Sequence, residues 1–233
     1  MSKVWPEYTP EWIKPALGVD TSQVQELIGK RQASQLNGSE EEVPTKREAA
    51  VLMLLSGNSV EDGEILLTHR SPSMRSHSGQ IAFPGGRRDP GDTSLVDTAL
   101  REAWEETDLQ RHTVMPLEQW EQLHIRATGN PVSPILAHWK QPGEVYPASP
   151  AETDDVFFVP IRELIDPRNR LLVGFKQWQG PAFYANDYVI WGFTAGVLAA
   201  LLDHSGWSVP WDNNSVIDLR DTLKKSRNNE KMS

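Results

Sequence analysis

The sequence predicts a single α/β domain in which helices cover a mixed β-sheet. Apolar runs of strand length lie on either side of one long helical stretch, and a second, apolar helix lies near the end of the chain. With 233 residues the chain is long enough for one sizeable core. We expect an N-terminal arm with a short helix and a linker, a main domain, and a charged C-terminal tail, over residues 1–46, 47–219 and 220–233. Within the arm, Asp20 or Thr21 is a suitable cap for a helix in residues 20–32.

A hairpin and a long loop open the main domain. The run AAVLMLLSG, residues 49–57, predicts a mostly buried strand, and EILLTHR, residues 64–70, predicts its partner. Residues 71–92 contain repeated proline and glycine, so we expect mainly loop there.

The central helix is predicted over residues 93–107. This stretch has no glycine or proline and is rich in residues that favour helix, and Ser94 followed by Asp97 resembles a capping box. Further elements are expected after it: strands at 124–129, 133–139 and 155–161, a short helix near 162–165, a hairpin at 170–178 and 181–187, and a buried helix at 191–205. The charged residues after Leu219 are expected to be frayed.

Composition excludes several classes of protein. The formal charge of −9 is unsuited to non-specific nucleic-acid binding. The chain has no cysteine, which excludes disulfides and cysteine-based zinc sites. No apolar run reaches the roughly 20 residues of a membrane span, and the first residues lack the apolar stretch of a secretory signal. We therefore expect a cytoplasmic protein that binds neither nucleic acid nor membrane.

REAWEE, residues 101–106, gathers three glutamates on one helix. Glu102 lies one turn before both Glu105 and Glu106, so the carboxylates share a face. Each like-charge pair costs about 0.2–0.5 kcal/mol on an exposed helix, and the helix dipole disfavours acids in the last turns. A hard divalent cation resolves this repulsion because it takes oxygen ligands. The alternative is a solvated acidic face. The preceding loop, with Gly85 and Gly86, allows the backbone to approach a diphosphate closely.

This combination resembles the Nudix box, G-x5-E-x7-R-E-U-x-E-E-x-G-U, in which U is aliphatic. REAWEE matches the R-E-U-x-E-E part. The first glycine and glutamate of the pattern fall on Arg87 and Thr93. Gly86 and Asp92 can fill those positions only if the segment is one residue longer, and Asp108 stands at the last glycine.

A second motif indicates a substrate. Residues 66–86, LLTHRSPSMRSHSGQIAFPGG, fit L-L-T-x-R-[SA]-x3-R-x3-G-x3-F-P-G-G, the signature of the coenzyme A diphosphatase branch, at every specified position. The resemblance covers about residues 49–205. It implies a Nudix-type α/β/α sandwich with a mixed sheet. It also implies hydrolysis of the diphosphate bond of coenzyme A or acyl-CoA, giving adenosine 3′,5′-bisphosphate and 4′-phosphopantetheine or its acylated form.

The resemblance also implies a metal site that uses Mg²⁺ or Mn²⁺. Glu102 and Glu106 are then the principal ligands, Glu105 shares or supports a second ion, and Arg101 orients Glu105. The ions neutralise the diphosphate and lower the pKa of a bound water, so no protein nucleophile is needed.

The general base has several candidates. Glu152, in SPAETDD, is the first, as base or additional metal ligand. Asp154, Asp155 and Glu105 are the alternatives, and Glu152 is otherwise an ordinary loop or helix-cap carboxylate.

Phosphate contacts are expected from arginine, whose guanidinium forks onto phosphate oxygens. Arg70 and Arg75 are the first candidates, while Arg87 and Arg88 either add positive charge or are surface residues. The remaining signature residues complete the substrate-binding set: Gly79, Phe83, Gly85 and Gly86. Phe83 either stacks on adenine or packs under the loop.

Two other functions stay open. One is a Nudix hydrolase of a different nucleoside diphosphate derivative, such as ADP-ribose or a dinucleoside polyphosphate. The other is a catalytically silent module that senses a ligand. Trp5 and Trp12 in the arm would suit a contact with a second subunit, which predicts a homodimer.

Overall fold

The computed structural model describes residues 3–4, 8–28, 48–125 and 130–230. The strands in these ranges are β1 (Lys3–Val4), β2 (Ala49–Ser56), β3 (Glu64–Arg70), β4 (Ile81–Ala82), β5 (Gly85–Arg87), β6 (Val114–Gln119), β7 (Leu123–His124), β8 (Pro131–Trp139), β9 (Thr153–Pro160), β10 (Arg170–Phe175), β11 (Trp178–Ala185), β12 (Tyr188–Ile190) and β13 (Val216–Asp218). The helices are α1 (Thr21–Leu27), α2 (Leu95–Thr107), α3 (Ile161–Ile165), α4 (Gly192–His204) and α5 (Leu219–Leu223). The predicted linker, residues 33–46, and most of the predicted strand at 124–129 lie outside the described residues.

The strands form two sheets. The larger has the order β1-β6-β8-β2-β3-β4, with β5 paired to β2, β7 to β8 and β9 to β3. Only β2 and β8 run parallel among its described pairs, so the sheet is mixed, as predicted. The smaller sheet has the order β12-β11-β10-β13. The hairpin of β10 and β11 is the one expected from the sequence.

Helices cover both faces of the larger sheet. Along β2, Ala50, Leu52 and Leu54 point into a core that also contains the buried face of α2. Met53 and Leu55 point the other way, into a core formed with α1 and α4. This alternation is the two-residue period of a strand buried on both sides. The α/β sandwich predicted from the sequence is therefore confirmed.

The helices begin and end at recognisable signals. In α2 the Ser94 hydroxyl accepts a hydrogen bond from the Asp97 backbone N–H at 3.1 Å, and the Asp97 carboxylate accepts one from the Thr93 N–H at 3.0 Å. The two bonds form a variant of the predicted capping box, in which Asp97 binds the N–H of Thr93 and not that of the cap residue Ser94. The Asp20 carboxylate caps α1 in the same manner. None of the helices in the described ranges is long and apolar enough to cross a lipid bilayer.

The N-terminal arm contributes to the main core. Ile13, Ala16 and Val24 are fully buried and belong to the same apolar cluster as α4. Trp12 stacks on Trp207 of its own chain, with ring centroids 5.6 Å apart, so it is engaged within the subunit. Trp5, the other tryptophan proposed for a dimer contact, lies outside the described residues.

The expectation of a frayed tail after Leu219 is wrong for the described residues. Leu219 and Leu223 of α5 are buried against Val173 and Val189 of the smaller sheet. Farther along, Asn228 has no exposed surface. The charged side chains of the tail mask this apolar periodicity in the sequence.

Candidate active site

The REAWEE segment forms the last two turns of α2, and β5 runs across them. Because β5 pairs with β2, its backbone is fixed at the edge of the acidic face. The Gly85 N–H donates a hydrogen bond to Glu106 Oε2 at 3.1 Å. The loop and the helix that were singled out separately in the sequence thus meet at one carboxylate.

Gly86 lies directly against Glu102. A β-carbon at Gly86 would stand 2.4 Å from the carboxyl carbon of Glu102, so any side chain here would require the Glu102 carboxylate to move. The backbone at Gly86 thus approaches the acidic side chain of α2, whereas the approach of this glycine to a diphosphate stays a prediction.

Arg101 binds several acidic groups at once. Its Nε and Nη2 atoms donate to the two carboxylate oxygens of Asp92 at 2.9 and 3.0 Å. Its Nη1 atom lies 3.0 Å from an oxygen of Glu102 and 3.0 Å from one of Glu105. Nη2 also donates to the Arg87 carbonyl at 2.9 Å. The hydrogen bonds from Arg101 hold the pKa of Asp92 well below its usual range.

The structure accounts for the departures from the Nudix pattern. Asp92 and Gly86, each one residue away from the pattern's spacing, contact Arg101 and Glu102 of the helix. Asp108, at the pattern's last glycine, ends α2 with a left-handed φ of 56°. Aspartate is among the few non-glycine residues that adopt this conformation readily.

Glu106 is the most deeply buried of the three glutamates, with 4% of its surface exposed. Burial raises the pKa of Glu106 to about 7. The Arg70 charge and the Gly85 N–H oppose this rise, while the charges of Glu102 and Glu152 add to it. The Arg70 Nη1 atom lies 3.7 Å from Glu106 Oε1. The site therefore concentrates negative charge where solvent cannot screen it, a condition that a cation relieves.

The donor atoms fit a hard divalent ion. Burial also raises the pKa of Glu102, so two desolvated carboxylates lie side by side. Oxygen ligands of this kind are what Mg²⁺ and Mn²⁺ prefer. In the described part of the chain, no three histidine, aspartate or glutamate side chains converge as a ready-made ligand set. Glu105 turns instead to Arg101. Metal binding by Glu102, Glu105 and Glu106 stays a prediction.

The candidate bases separate in space. Glu152 is exposed and close enough for its charge to influence Glu106. Asp154 lies 2.5 Å from Nδ1 of His69, and Asp155 accepts a hydrogen bond from the Tyr188 hydroxyl at 2.8 Å. Both aspartates are thus engaged by other side chains.

The substrate-binding candidates fall into two groups. Arg70 lies beside the acidic cluster, and Arg75 is exposed on the loop that follows β3. Phe83, by contrast, is 3% exposed and packs in the main core, so stacking on adenine is corrected to packing under the loop. Arg88 pairs with Glu48 at 3.0 Å, as a surface charge would.

Gly79 is buried under the C-terminal segment, an arrangement that sequence reasoning missed. Its carbonyl accepts a hydrogen bond from Asn228, 149 positions later in the chain. Direct contact of this glycine with a substrate is corrected accordingly. No local motif marks Asn228, so the sequence offers no signal for this contact.

Comparison with known proteins shows the family of this chain. A family model described as NUDIX domain matches residues 46–179. "Uncharacterized Nudix hydrolase NudL" of Photorhabdus laumondii is 36% identical over 141 residues, covering 59% of this chain and 74% of that protein. The protein of the same name in Citrobacter koseri is 34% identical over 177 residues, covering 72% of this chain and 85% of that protein. The crystal structure of a NUDIX hydrolase from Nitrosomonas europaea aligns with a TM-score of 0.49 at 14% identity, covering 76% of this chain and 81% of that one. The chain belongs to the Nudix family of hydrolases, which act on pyrophosphate bonds.

Proposed function

We propose that this Nudix hydrolase cleaves the diphosphate bond of coenzyme A or acyl-CoA. The products are adenosine 3′,5′-bisphosphate and 4′-phosphopantetheine or its acylated form. The observation that carries the proposal is the convergence on Glu106 of two segments of the coenzyme A signature. Arg70 approaches one carboxylate oxygen at 3.7 Å, and the Gly85 N–H binds the other at 3.1 Å.

The metal ligands in this proposal are Glu102 and Glu106, with Glu105 supporting a second Mg²⁺ or Mn²⁺. When bound, such an ion neutralises the diphosphate and lowers the pKa of a coordinated water. The chain's own part is to hold the carboxylates. Gly85 fixes Glu106, and Arg101 ties Glu105 and Glu102 to Asp92.

Arginines supply the local positive charge that the acidic chain otherwise lacks. Arg70 borders the acidic cluster, while Arg75 is exposed on the loop after β3 and Arg87 is exposed at the end of β5. Coenzyme A carries a 3′-phosphate besides its diphosphate, so it requires more cationic contacts than a simple dinucleotide. A guanidinium binds two phosphate oxygens at once, which suits Arg70 to the diphosphate and Arg75 to a more distant phosphate.

Glu152 is the proposed general base. Hydrolysis adds one water across the P–O–P link, and the base takes a proton from the attacking water while the leaving phosphate departs. Glu152 is exposed and near Glu106, whereas Asp154 and Asp155 are bonded to His69 and Tyr188. Glu105 stays the alternative, since it is half exposed next to Arg101.

A competition experiment tests the substrate. Coenzyme A, acetyl-CoA, ADP-ribose and a dinucleoside polyphosphate are supplied at equal concentration, with Mg²⁺ and separately with Mn²⁺, and the products are identified by mass spectrometry. We expect coenzyme A or acetyl-CoA to be consumed first, with release of adenosine 3′,5′-bisphosphate. Preferential loss of ADP-ribose or of the dinucleotide would reassign the substrate, and no turnover of any of them would favour a silent ligand-sensing module.

Two further expectations from the sequence stay predictions. These are the homodimer and the cytoplasmic location. Trp12 stacks on Trp207 of its own chain, and Trp5 lies outside the described residues.

A further inference from the structure

We infer that Asn228 is a positioning residue that fixes the loop carrying Arg75 in the proposed coenzyme A site. The signature loop is defined here as residues 71–80, and the C-terminal strap as residues 226–230. The inference rests on the proposed function for its substrate, whereas the contact itself is independent of it.

The Asn228 side chain uses its full hydrogen-bonding capacity and has no exposed surface. Its Nδ2 atom donates to the Gly79 carbonyl at 2.9 Å and to the Val189 carbonyl at 3.1 Å. Its Oδ1 atom accepts from the Val189 N–H at 2.8 Å and from the Ser226 hydroxyl at 2.8 Å. The side-chain amide of Asn228 therefore links the backbone of β12 to the backbone of the signature loop by hydrogen bonds. Only an amide of this length offers both donors and acceptors in this position.

Glu230 and the backbone carbonyl of Asn228 add to the connection. The Gln80 side chain donates to Glu230 Oε1 at 2.8 Å, and the Trp191 indole donates to Glu230 Oε2 at 2.8 Å. The Asn228 carbonyl accepts a hydrogen bond from His69 Nε2 at 2.9 Å. The strap thus bonds to the last two residues of the signature loop, Gly79 and Gln80, and to His69 of β3.

Gly79 is shaped for this contact. Its φ is +77°, and a β-carbon there would stand 2.4 Å from the Asn228 carbonyl oxygen and 2.8 Å from the α-carbon of Glu230. The signature glycine is therefore required for the strap to close over the loop, which gives it a role other than touching substrate.

Two backbone hydrogen bonds connect the loop residues under the strap to Arg70, which faces the acidic cluster. The Gly79 N–H donates to the Arg70 carbonyl at 2.9 Å, and the Arg70 N–H donates to the Gln80 carbonyl at 2.9 Å, so the loop closes on the residue that faces Glu106. His69 lies between the strap and Asp154, two residues after Glu152. Loosening the strap therefore moves the loop that bears Arg75 without removing any carboxylate of the acidic cluster.

The test compares Asn228→Asp with Asn229→Asp. Both substitutions add one negative charge to the strap. Asn229 is exposed and has a φ of 51°, which aspartate also tolerates. At Asn228 the substitution removes both donors and sets a carboxylate against two carbonyl oxygens. We expect amide hydrogen exchange in residues 71–80 to accelerate at least about tenfold in Asn228→Asp alone, with exchange in β2 unchanged.

Steady-state kinetics with coenzyme A gives the second readout. The KM is expected to rise about tenfold in Asn228→Asp, while kcat changes less than about threefold, because the residue acts on binding and not on the reacting atoms. Gly79→Ala disturbs the same contact from the loop side and should reproduce both effects, which keeps the test informative if Asn228→Asp does not fold. Exchange in residues 71–80 equal to that of the wild type in the folded variants would overturn the inference. Failure of the wild type to cleave coenzyme A would overturn the proposed substrate instead and leave the exchange result to decide on the strap.

Discussion

Arg101 is the side chain on which the arrangement of the acidic face depends. It donates to Asp92 through two nitrogens and lies 3.0 Å from oxygens of both Glu102 and Glu105. A lysine has one charged nitrogen and no planar fork, so it cannot hold these groups together.

We therefore predict that Arg101→Lys destabilises the protein and lowers activity together. Loss of hydrogen bonds to the buried Asp92 carboxylate should reduce the free energy of unfolding by about 1.5–3 kcal/mol, measured by urea denaturation. Arg87→Lys is the matched control, since Arg87 is exposed and meets Arg101 through its backbone carbonyl. Equal stability of the two variants would contradict the role given to Arg101.

Gly86 offers a second test at the scale of one residue. In Gly86→Ala the new methyl group must displace the Glu102 carboxylate, because a β-carbon at position 86 would stand 2.4 Å from the carboxyl carbon of Glu102. We expect kcat/KM to fall at least about tenfold, since a small misplacement of a catalytic group has effects of this size.

The control for that experiment is Gly91, which lies five residues farther along the chain. A β-carbon at Gly91 would meet nothing within 4 Å, so Gly91→Ala should keep wild-type activity. Circular dichroism should show both variants folded. Full activity in Gly86→Ala would mean that the Glu102 carboxylate is not needed where it now lies.

At the level of secondary structure, the elements that are predicted correctly are those with a clear local sequence pattern. The bounds of β3 agree residue for residue, because EILLTHR is flanked by a turn and a proline-containing loop. The strand β6 is missed because Pro116 and Glu118 interrupt its apolar pattern. Glu118 is nevertheless buried, and its carboxylate accepts a hydrogen bond from the Gly18 N–H of the N-terminal arm at 3.0 Å. Long-range contacts of this kind decide such segments, and they leave no trace in a local window.

The same distinction applies to the site. Three glutamates and two glycines within 22 residues are visible as a motif, so the acidic face could be predicted. The partners of His69 and Gly79 come from residues more than 80 positions away. Trp104 shows the limit of residue-type reasoning, because a large apolar side chain is typical of a core and this one is 47% exposed on α2.

The C-terminal strap makes a prediction about pH. Burial raises the pKa of Glu230 above its ordinary value of 4.5, although Gln80, Trp191 and His69 oppose the rise. A carboxyl whose folded-state pKa is raised stabilises the fold below its unfolded-state pKa, and this contribution is lost as the pH rises through the folded-state value.

Glu230→Gln removes that titration. We expect the free energy of unfolding of this variant, relative to that of the wild type, to increase as the pH is raised from about 4.5 towards neutrality. The variant then gains stability relative to the wild type. Urea denaturation at a series of pH values measures the difference, and a constant offset from the altered hydrogen bonds does not affect its slope. Parallel curves for the two proteins would show that the pKa of Glu230 is the same in the folded and unfolded states.

At the scale of the whole molecule, each of the two sheets contributes a different part of the proposed site. The larger sheet carries Arg70 at the end of β3 and the glycine strand β5, and α2 packs on its face. The smaller sheet supplies β12 and, through α5 and the strap, the cover over the signature loop. The arm and tail, which the family resemblance does not reach, are thus integral to the described fold.

The proposed hydrolysis depends on a divalent ion bound by the carboxylates of α2, of which Glu106 is buried. The most direct test compares Mn²⁺ affinity, by isothermal titration calorimetry, and coenzyme A turnover in the wild type and Glu106→Gln. Glutamine can still accept the Gly85 N–H and removes a charge that burial disfavours, so the variant should fold with undiminished stability. We predict that both Mn²⁺ affinity and turnover fall by at least about 100-fold in Glu106→Gln. Wild-type Mn²⁺ affinity and turnover in the folded variant would show that hydrolysis does not require an ion bound by the Glu106 carboxylate.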